Sequence, residues 1–313
     1  MLEYYTMKVG LVVPQFGKQA TQANLLEFVK LAENEKFESL WVFDRMLFPI
    51  EPLQPYPNTP DQKTWPEFFQ NVMDPLATLA FIAANTTSPL LGTCIIDMVF
   101  HNPVSLAKQF TTIDILSEGR ALCGLGIGWS EDEYKTANIP FEKRGARANE
   151  ILQVMKKTWT DEIVEFNGKF YQVPKSIIGP KPIQKPHPKI LLGGFSPQTF
   201  QRMNNYGNGY IGVMAGPFEF FQSMAQTYHQ TIEKSTRSAN EFEFSVLGFP
   251  YLMEKHPEGS RMTLSGTMED IKEDLSRAKD LGVDRIIFGV NLDERTDVKK
   301  AFELFNELRQ SCK

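Results

Sequence analysis

Short β-rich apolar runs alternate with longer helical patterns from one end of this chain to the other, and that alternation leaves few folds open. The strand candidates are residues 8–13, 39–43, 90–95, 120–125, 189–192, 209–213, 243–247 and 285–288. Helical patterns follow near 22–36, 74–87, 103–117, 141–159, 197–205, 217–238, 268–281 and 296–310. Eight such pairs predict a parallel sheet, most simply a (β/α)8 TIM barrel in which residues 1–313 form a single α/β domain. A chain of 313 residues is ordinary for one barrel, and its 42% hydrophobic share supports a large core. Helix signals agree with this register. Asp74-Pro75, Asn102-Pro103 and Ser196-Pro197 are N-cap-plus-proline pairs, while Gly119 and Gly282 stand where C-terminal glycines belong.

Two stretches exceed a minimal barrel. Residues 44–73 follow strand 2 and carry Pro49, Pro52, Pro55, Pro57, Pro60 and Pro66. Residues 160–188 lie between strands 4 and 5 and contain Asn167-Gly168, a hairpin signal. Insertions of this length usually carry function.

Composition narrows the partners. A net charge of −5 without a basic run gives no footprint for nucleic acid or an anionic membrane. Three scattered cysteines fit a reducing compartment, and four scattered histidines argue against a metal site. No signal peptide or membrane-length apolar run is present, so a cytoplasmic location is expected. Residues 1–6, ahead of Met7, read as a disordered extension.

A barrel works at the C-terminal ends of its strands. That rule selects Phe16, Asp44, Arg45, the run from Cys94 to His101, Gly126 to Glu131, and Gly193 to Ser196, then Met214, Phe249 and Asn291. Aromatic and sulfur-bearing residues dominate, and no strand end offers two acids on separate strands. Such a mouth suits a planar apolar ligand with a polar tail better than hydrolysis by paired carboxylates. Gly193-Gly194-Phe195-Ser196-Pro197-Gln198-Thr199 reads as strand, tight turn and helix start, where open N–H groups and the helix dipole favour phosphate. Gly124, Gly126 and Gly128 have GxGxG rather than GxGxxG spacing, so they mark a close turn instead of a dinucleotide fold. Arg45 either binds an anion or pairs with an acid, and His101 is either a proton donor or structural. Glu131 and Glu133 read as a solvated acidic turn. Arg144 and Arg147 share a helix face and either clamp an anionic tail or pair with Glu142 and Glu150.

Several motifs in order resemble one family. They are Glu38-Ser39-Leu40-Trp41-Val42-Phe43-Asp44, Leu91-Gly92-Thr93-Cys94-Ile95, Asn102-Pro103-Val104-Ser105-Leu106-Ala107-Lys108 and Leu116-Ser117-Glu118-Gly119-Arg120. Gly124 to Trp129, Arg144-Gly145-Ala146-Arg147, Gly179-Pro180-Lys181-Pro182 and the Gly193-Gly194 loop complete the set. Across nearly its whole length the chain resembles the luciferase-like monooxygenase superfamily, whose barrels bind FMN or its deazaflavin analogue, coenzyme F420; the branch it is most similar to is that of F420-dependent oxidoreductases. The resemblance implies a flavin-type ring in the mouth near Phe16, with a non-prolyl cis peptide at Cys94–Ile95. It places backbone of Ile127, Gly128 and Trp129 along the cofactor, and phosphate on Gly193, Gly194, Phe195, Ser196 and Thr199. Asp44, Arg45 and His101 are the catalytic candidates. Many members have histidine where Arg45 stands, and an arginine stays protonated and cannot serve as a base at neutral pH.

The resulting expectation is an oxidoreductase using reduced FMN on a small organic substrate, as a monooxygenase, with a separate flavin reductase and a homodimer following by analogy. Hydride transfer with F420 is the alternative, and a non-catalytic flavin-binding protein is a third reading. The Lys- and Asn-rich composition tips the balance slightly to FMN.

Overall fold

The computed structural model describes residues 6–57, 64–256, 261–289 and 297–312. Residues 1–5, Pro60 and Asn291 lie outside the described residues. Eight strands form the expected closed sheet: β1 (Lys8–Val12), β2 (Ser39–Val42), β3 (Leu90–Thr93), β4 (Ala121–Gly126), β5 (Lys189–Gly193), β6 (Gly209–Met214), β7 (Glu243–Gly248) and β8 (Arg285–Phe288). All neighbouring pairs are parallel, and the pairings β1–β8 and β3–β4 complete the ring. The strand expected at 90–95 stops at Thr93. Past the cis Cys94–Ile95 peptide, a short strand, Ile96–Asp97, pairs onward with β4. That step turns the chain across the barrel mouth.

The helices are α1 (Gln22–Asn34), α2 (Pro75–Asn85), α3 (Pro103–Leu116), α4 (Glu131–Thr136), α5 (Arg144–Thr160), α6 (Pro197–Tyr206), α7 (Phe218–Glu233), α8 (Met268–Asp280) and α9 (Val298–Gln310). Asp74 and Asn102 cap α2 and α3 through their side chains, as the sequence predicts. Short α4 was not expected, because its acidic residues read as a turn.

Two cores hold the barrel. The larger lies between strands and helices, and the smaller fills the lumen with Val12, Phe16, Trp41, Cys94, Leu122, Leu191, Ile211 and Ile287. Trp41 is the largest lumen side chain, and a Cβ at Gly10 or Gly92 on the flanking strands would collide with its indole. Below it, the Arg285 guanidinium donates to Glu243 at 3.0 Å and to the Ser39 hydroxyl at 2.9 Å. The N-terminal end is thus a closed polar floor, and the C-terminal end is left for ligands.

The described parts of both insertions pack onto the barrel. The 44–73 segment includes a short 3-10 turn, Glu67–Gln70, and its end bridges back to Phe16 through Val72. The 160–188 segment forms the antiparallel hairpin Val164–Asn167 with Gln172–Ser176. Its turn differs from the Asn-Gly expectation. Asn167 pairs with Gln172, so four residues connect the strands, and the Glu150 carboxylate on α5 accepts the N–H groups of Lys169, Phe170 and Tyr171.

Candidate active site at the barrel mouth

Three strand ends converge on one side of the mouth. Asp44, after β2, donates its N–H to the Ile95 carbonyl at 3.1 Å. Its carboxylate accepts the Asp97 N–H at 3.2 Å and lies 3.9 Å from His101 Nε2. Asp44 and His101 are therefore brought together.

Arg45 is placed differently from a free anion binder. Its Nη1 donates to Glu133 at 2.8 Å, and the two side chains are only 7% and 1% exposed. Glu133 is thus no solvated turn residue. The Ser130 hydroxyl accepts the Glu133 N–H, starting α4 with Glu133 on its inner side, and the second carboxylate oxygen takes the Met46 N–H at 2.9 Å. Exposed Glu131 does match the solvated reading.

The expectation that no two strand ends offer acids is also overturned, since Asp44, Asp97 and Glu133 follow β2, β3 and β4. Asp97 lies inside the selected run 94–101, but the sequence reading did not single it out. Its one signal was an acid inside the apolar run 94–100, which the turn beyond Cys94–Ile95 aims into the barrel end.

Asp97 is buried and accepts the Gly128 N–H. Burial first, then the Asp44 charge and Glu133, push its carboxyl up to about 8, while Arg45 opposes them. A carboxyl that holds its proton more tightly folded than unfolded stabilises the fold most in acid. Its contribution is full below about pH 4, declines as pH rises and is lost above about 8. Asp97→Asn should flatten that decline in urea midpoints measured between about pH 5 and about pH 8. An unchanged slope would assign the titration to another group.

Aromatic side chains wall this sector. The Arg45 guanidinium lies 5.2, 5.0 and 5.2 Å from the ring centres of Trp65, Phe69 and Trp129. The 44–73 segment is fastened over it: Gln54 donates to the Trp129 carbonyl, and Leu53 N–H donates to Asp132 at 2.9 Å. Phe16 is buried between Phe43 and Phe68, at 5.0 and 5.3 Å. Gln15 was missed. Its buried amide binds Phe43 N–H and the carbonyls of Phe43 and Met73, pinning both ends of the insertion. Phe16, Trp65 and Met98 can exclude water; Phe249 is exposed and cannot.

The β5 loop forms the wall next to β4. Gly194 has φ +136, and a Cβ there would sit 2.7 Å from the Thr199 hydroxyl. Gly193 has Ile95 against it in the same way, at 2.9 Å. Ser196 occupies the N-cap position of α6, yet its hydroxyl lies 3.2 Å from that of Thr199 instead of capping a helix N–H. Phe195 projects outward, half exposed, beside Phe220. At the end of neighbouring β4, Ile127 offers its carbonyl to the Tyr134 hydroxyl, and Gly128 turns with φ +72. Burial pushes the Cys94 thiol far up, so it is no nucleophile at neutral pH.

Arg144 and Arg147 do not pair with Glu142 and Glu150. The hairpin turn consumes Glu150. Arg144 lies on the Phe141 ring at 3.7 Å, Arg147 lies on Phe170 at 4.6 Å, and both Nε atoms are buried without a partner. Arg202 of α6 donates to the Gly145 carbonyl at 3.2 Å, tying the start of α5 to the helix behind the β5 loop. Among the described residues no cluster could hold a metal ion, and no helix is long and apolar enough to cross a membrane.

A closed parallel barrel with one sealed end, and with glycine turns, acids and aromatic rings at the other, defines an α/β-barrel enzyme. A family model described as luciferase-like monooxygenase matches residues 7–261, and the chain belongs to that family of oxidoreductases. An uncharacterized protein of Mycobacterium tuberculosis is 31% identical over 206 residues, covering 66% of this chain and 72% of its own. An F420-dependent glucose-6-phosphate dehydrogenase of Kineococcus radiotolerans is 24% identical over 251 residues, 79% of this chain and 69% of its own. Among solved structures, the monooxygenase RslO1 from Streptomyces bottropensis superposes with a TM-score of 0.76 at 18% identity, covering 97% of this chain and 98% of its own. An F420-dependent secondary alcohol dehydrogenase gives 0.76 at 17%, covering 98% and 99%. At these identities the superpositions establish the fold.

Proposed function

We propose that this chain is a single-domain cytoplasmic oxidoreductase that moves a hydride between coenzyme F420 and a small organic substrate. The carrying observation is Arg45 locked to Glu133 at 2.8 Å. The position where many luciferase-like enzymes keep a histidine holds a permanent cation already engaged by an acid, which gives no support to oxygen activation of the luciferase kind. F420-dependent relatives point the same way.

The mouth fits a flavin-type group. The cradle at Gly194, where a Cβ would meet the Thr199 hydroxyl, and the Ser196 and Thr199 hydroxyls, 3.2 Å apart, fit its phosphate. Arg144 and Arg147, without acid partners among the described residues, suit an anionic tail. When bound, the deazaflavin supplies a carbon at position 5 that accepts or gives hydride. The chain's own residues do the rest: Ile95, Ile127, Gly128 and Trp129 orient the ring, Phe16 and Met98 keep water from it, and the Asp44–His101 pair moves a proton between the site and solvent.

Reduced FMN is the second reading, favoured by the water-excluding Phe16, Trp65 and Met98 wall, which suits oxygen chemistry. In that case a separate flavin reductase supplies the cofactor. The test is to record the purified protein's absorption spectrum and titrate the apoprotein with F420 and FMN. F420 should bind more tightly; preference for FMN reverses the order, and binding of neither sinks both readings.

A further inference from the structure

We propose that the Arg45 sector of the mouth recognises the oxygen of an uncharged alcohol or carbonyl substrate and disfavours phosphorylated or carboxylated ones. This rests on the oxidoreductase reading above and names its substrate class.

The first observation is an unused donor. Arg45 is always charged, its side chain is more than nine-tenths buried, and Nη1 is committed to Glu133. Its Nε is buried and has no hydrogen-bond partner. Buried polar groups are nearly always paired, and a charged N–H left without an acceptor is costly. Neither Asp44 nor Asp97 accepts from Nε: the Asp44 carboxylate takes the Asp97 N–H, and Asp97 accepts from Gly128. Guanidinium donates only, so the missing partner is an acceptor, such as a carbonyl or hydroxyl oxygen.

The second observation is charge. Glu133 already neutralises Arg45, and the Asp44 carboxylate stands in the same sector, hydrogen-bonded to the Asp97 N–H. An anionic ligand would meet more carboxylate than cation at low dielectric, where like charges repel strongly. A neutral oxygen keeps the hydrogen bond without that repulsion. The flanks agree, because Trp65, Phe69 and Trp129 offer ring faces and edges to an apolar body. The mouth is therefore divided. Its β5 side, with the hydroxyls and the two arginines that have no acid partner among the described residues, suits an anionic cofactor tail, and its β2–β4 side suits a neutral substrate.

Because Trp65 and Trp129 lie about the guanidinium and its Nε is buried, an oxygen reaching Nε disturbs these rings, and tryptophan emission reports it. The protein is titrated with cyclohexanone and cyclohexanol, with glucose 6-phosphate as the charged comparator, first without cofactor and then with whichever cofactor binds. The neutral probes should change the emission, and glucose 6-phosphate should bind at least about tenfold more weakly. Arg45→Lys keeps a cation for Glu133 but lacks the Nε donor, and it should lose about tenfold in cyclohexanone affinity with cofactor binding unchanged. Silence toward both neutral probes, equal or better binding of glucose 6-phosphate, or an unaltered Arg45→Lys would overturn the proposal. If Arg45→Lys does not fold, the selectivity of the unmodified protein decides. Failure to bind either cofactor counts against the oxidoreductase reading instead, since the probe titration is read without cofactor.

Discussion

Gly194→Glu should weaken cofactor binding strongly and leave the barrel folded. At φ +136 the backbone lies where side chains with a Cβ are strained, and that Cβ would stand 2.7 Å from the Thr199 hydroxyl. Relief requires moving either the loop or the first turn of α6, the elements proposed to hold phosphate. A glutamate also puts a negative charge where an anion should sit. Affinity for F420 or FMN should fall at least about a hundredfold, or roughly 2.7 kcal/mol. The strain itself costs about 1–3 kcal/mol and falls on an exposed loop end, so the circular dichroism spectrum should persist and the melting temperature drop only modestly. Ser196→Ala removes one hydroxyl and should weaken binding less. Retention of normal affinity in Gly194→Glu would move the phosphate away from this loop.

Glu133→Ala should destabilise the fold by about 3–5 kcal/mol, because it strands the Arg45 charge under Trp65, Phe69 and Trp129. It also removes the acceptor for Met46 N–H, loosening the start of the 44–73 insertion. Burial raises the Glu133 carboxyl while Arg45 holds it down, so the pair resists its own desolvation only as a pair. The double variant Arg45→Met with Glu133→Leu removes both charges and should recover most of the loss. Urea unfolding of the three proteins checks this. A Glu133→Ala cost below about 1 kcal/mol would mean that Arg45 escapes to water, as exposed pairs do.

The barrel was legible because its signals are local and repeated. Asp74-Pro75 and Asn102-Pro103 marked helix starts, and both cap as expected. Ser196-Pro197 marked the start of α6 equally well, but its hydroxyl turned to Thr199 once the chain closed around Gly194. The site was only half legible. Asp44, His101 and the β5 loop follow from their positions at strand ends, whereas Asp97 and Gln15 look like isolated polar residues until distant segments cover them. Glu133 and Glu150 show the same limit. Glu133, in an acidic run that reads as a solvated turn, reaches Arg45, 88 positions away, and Glu150, near arginines in sequence, instead satisfies three N–H groups of a hairpin turn.

Strand and helix periods, caps and family motifs were enough to establish an eight-fold α/β barrel and the rim on which its chemistry sits. They depend on neighbours a few residues apart, so one dimension contains them. Charge states and partners at the mouth were decided by the tertiary structure alone. Burial sets the cost of each charge, and only the closed barrel brings the ends of β2, β3 and β4 near enough for Asp44, Arg45, Asp97 and Glu133 to settle which stays charged, which keeps its proton and which donor is left for a substrate.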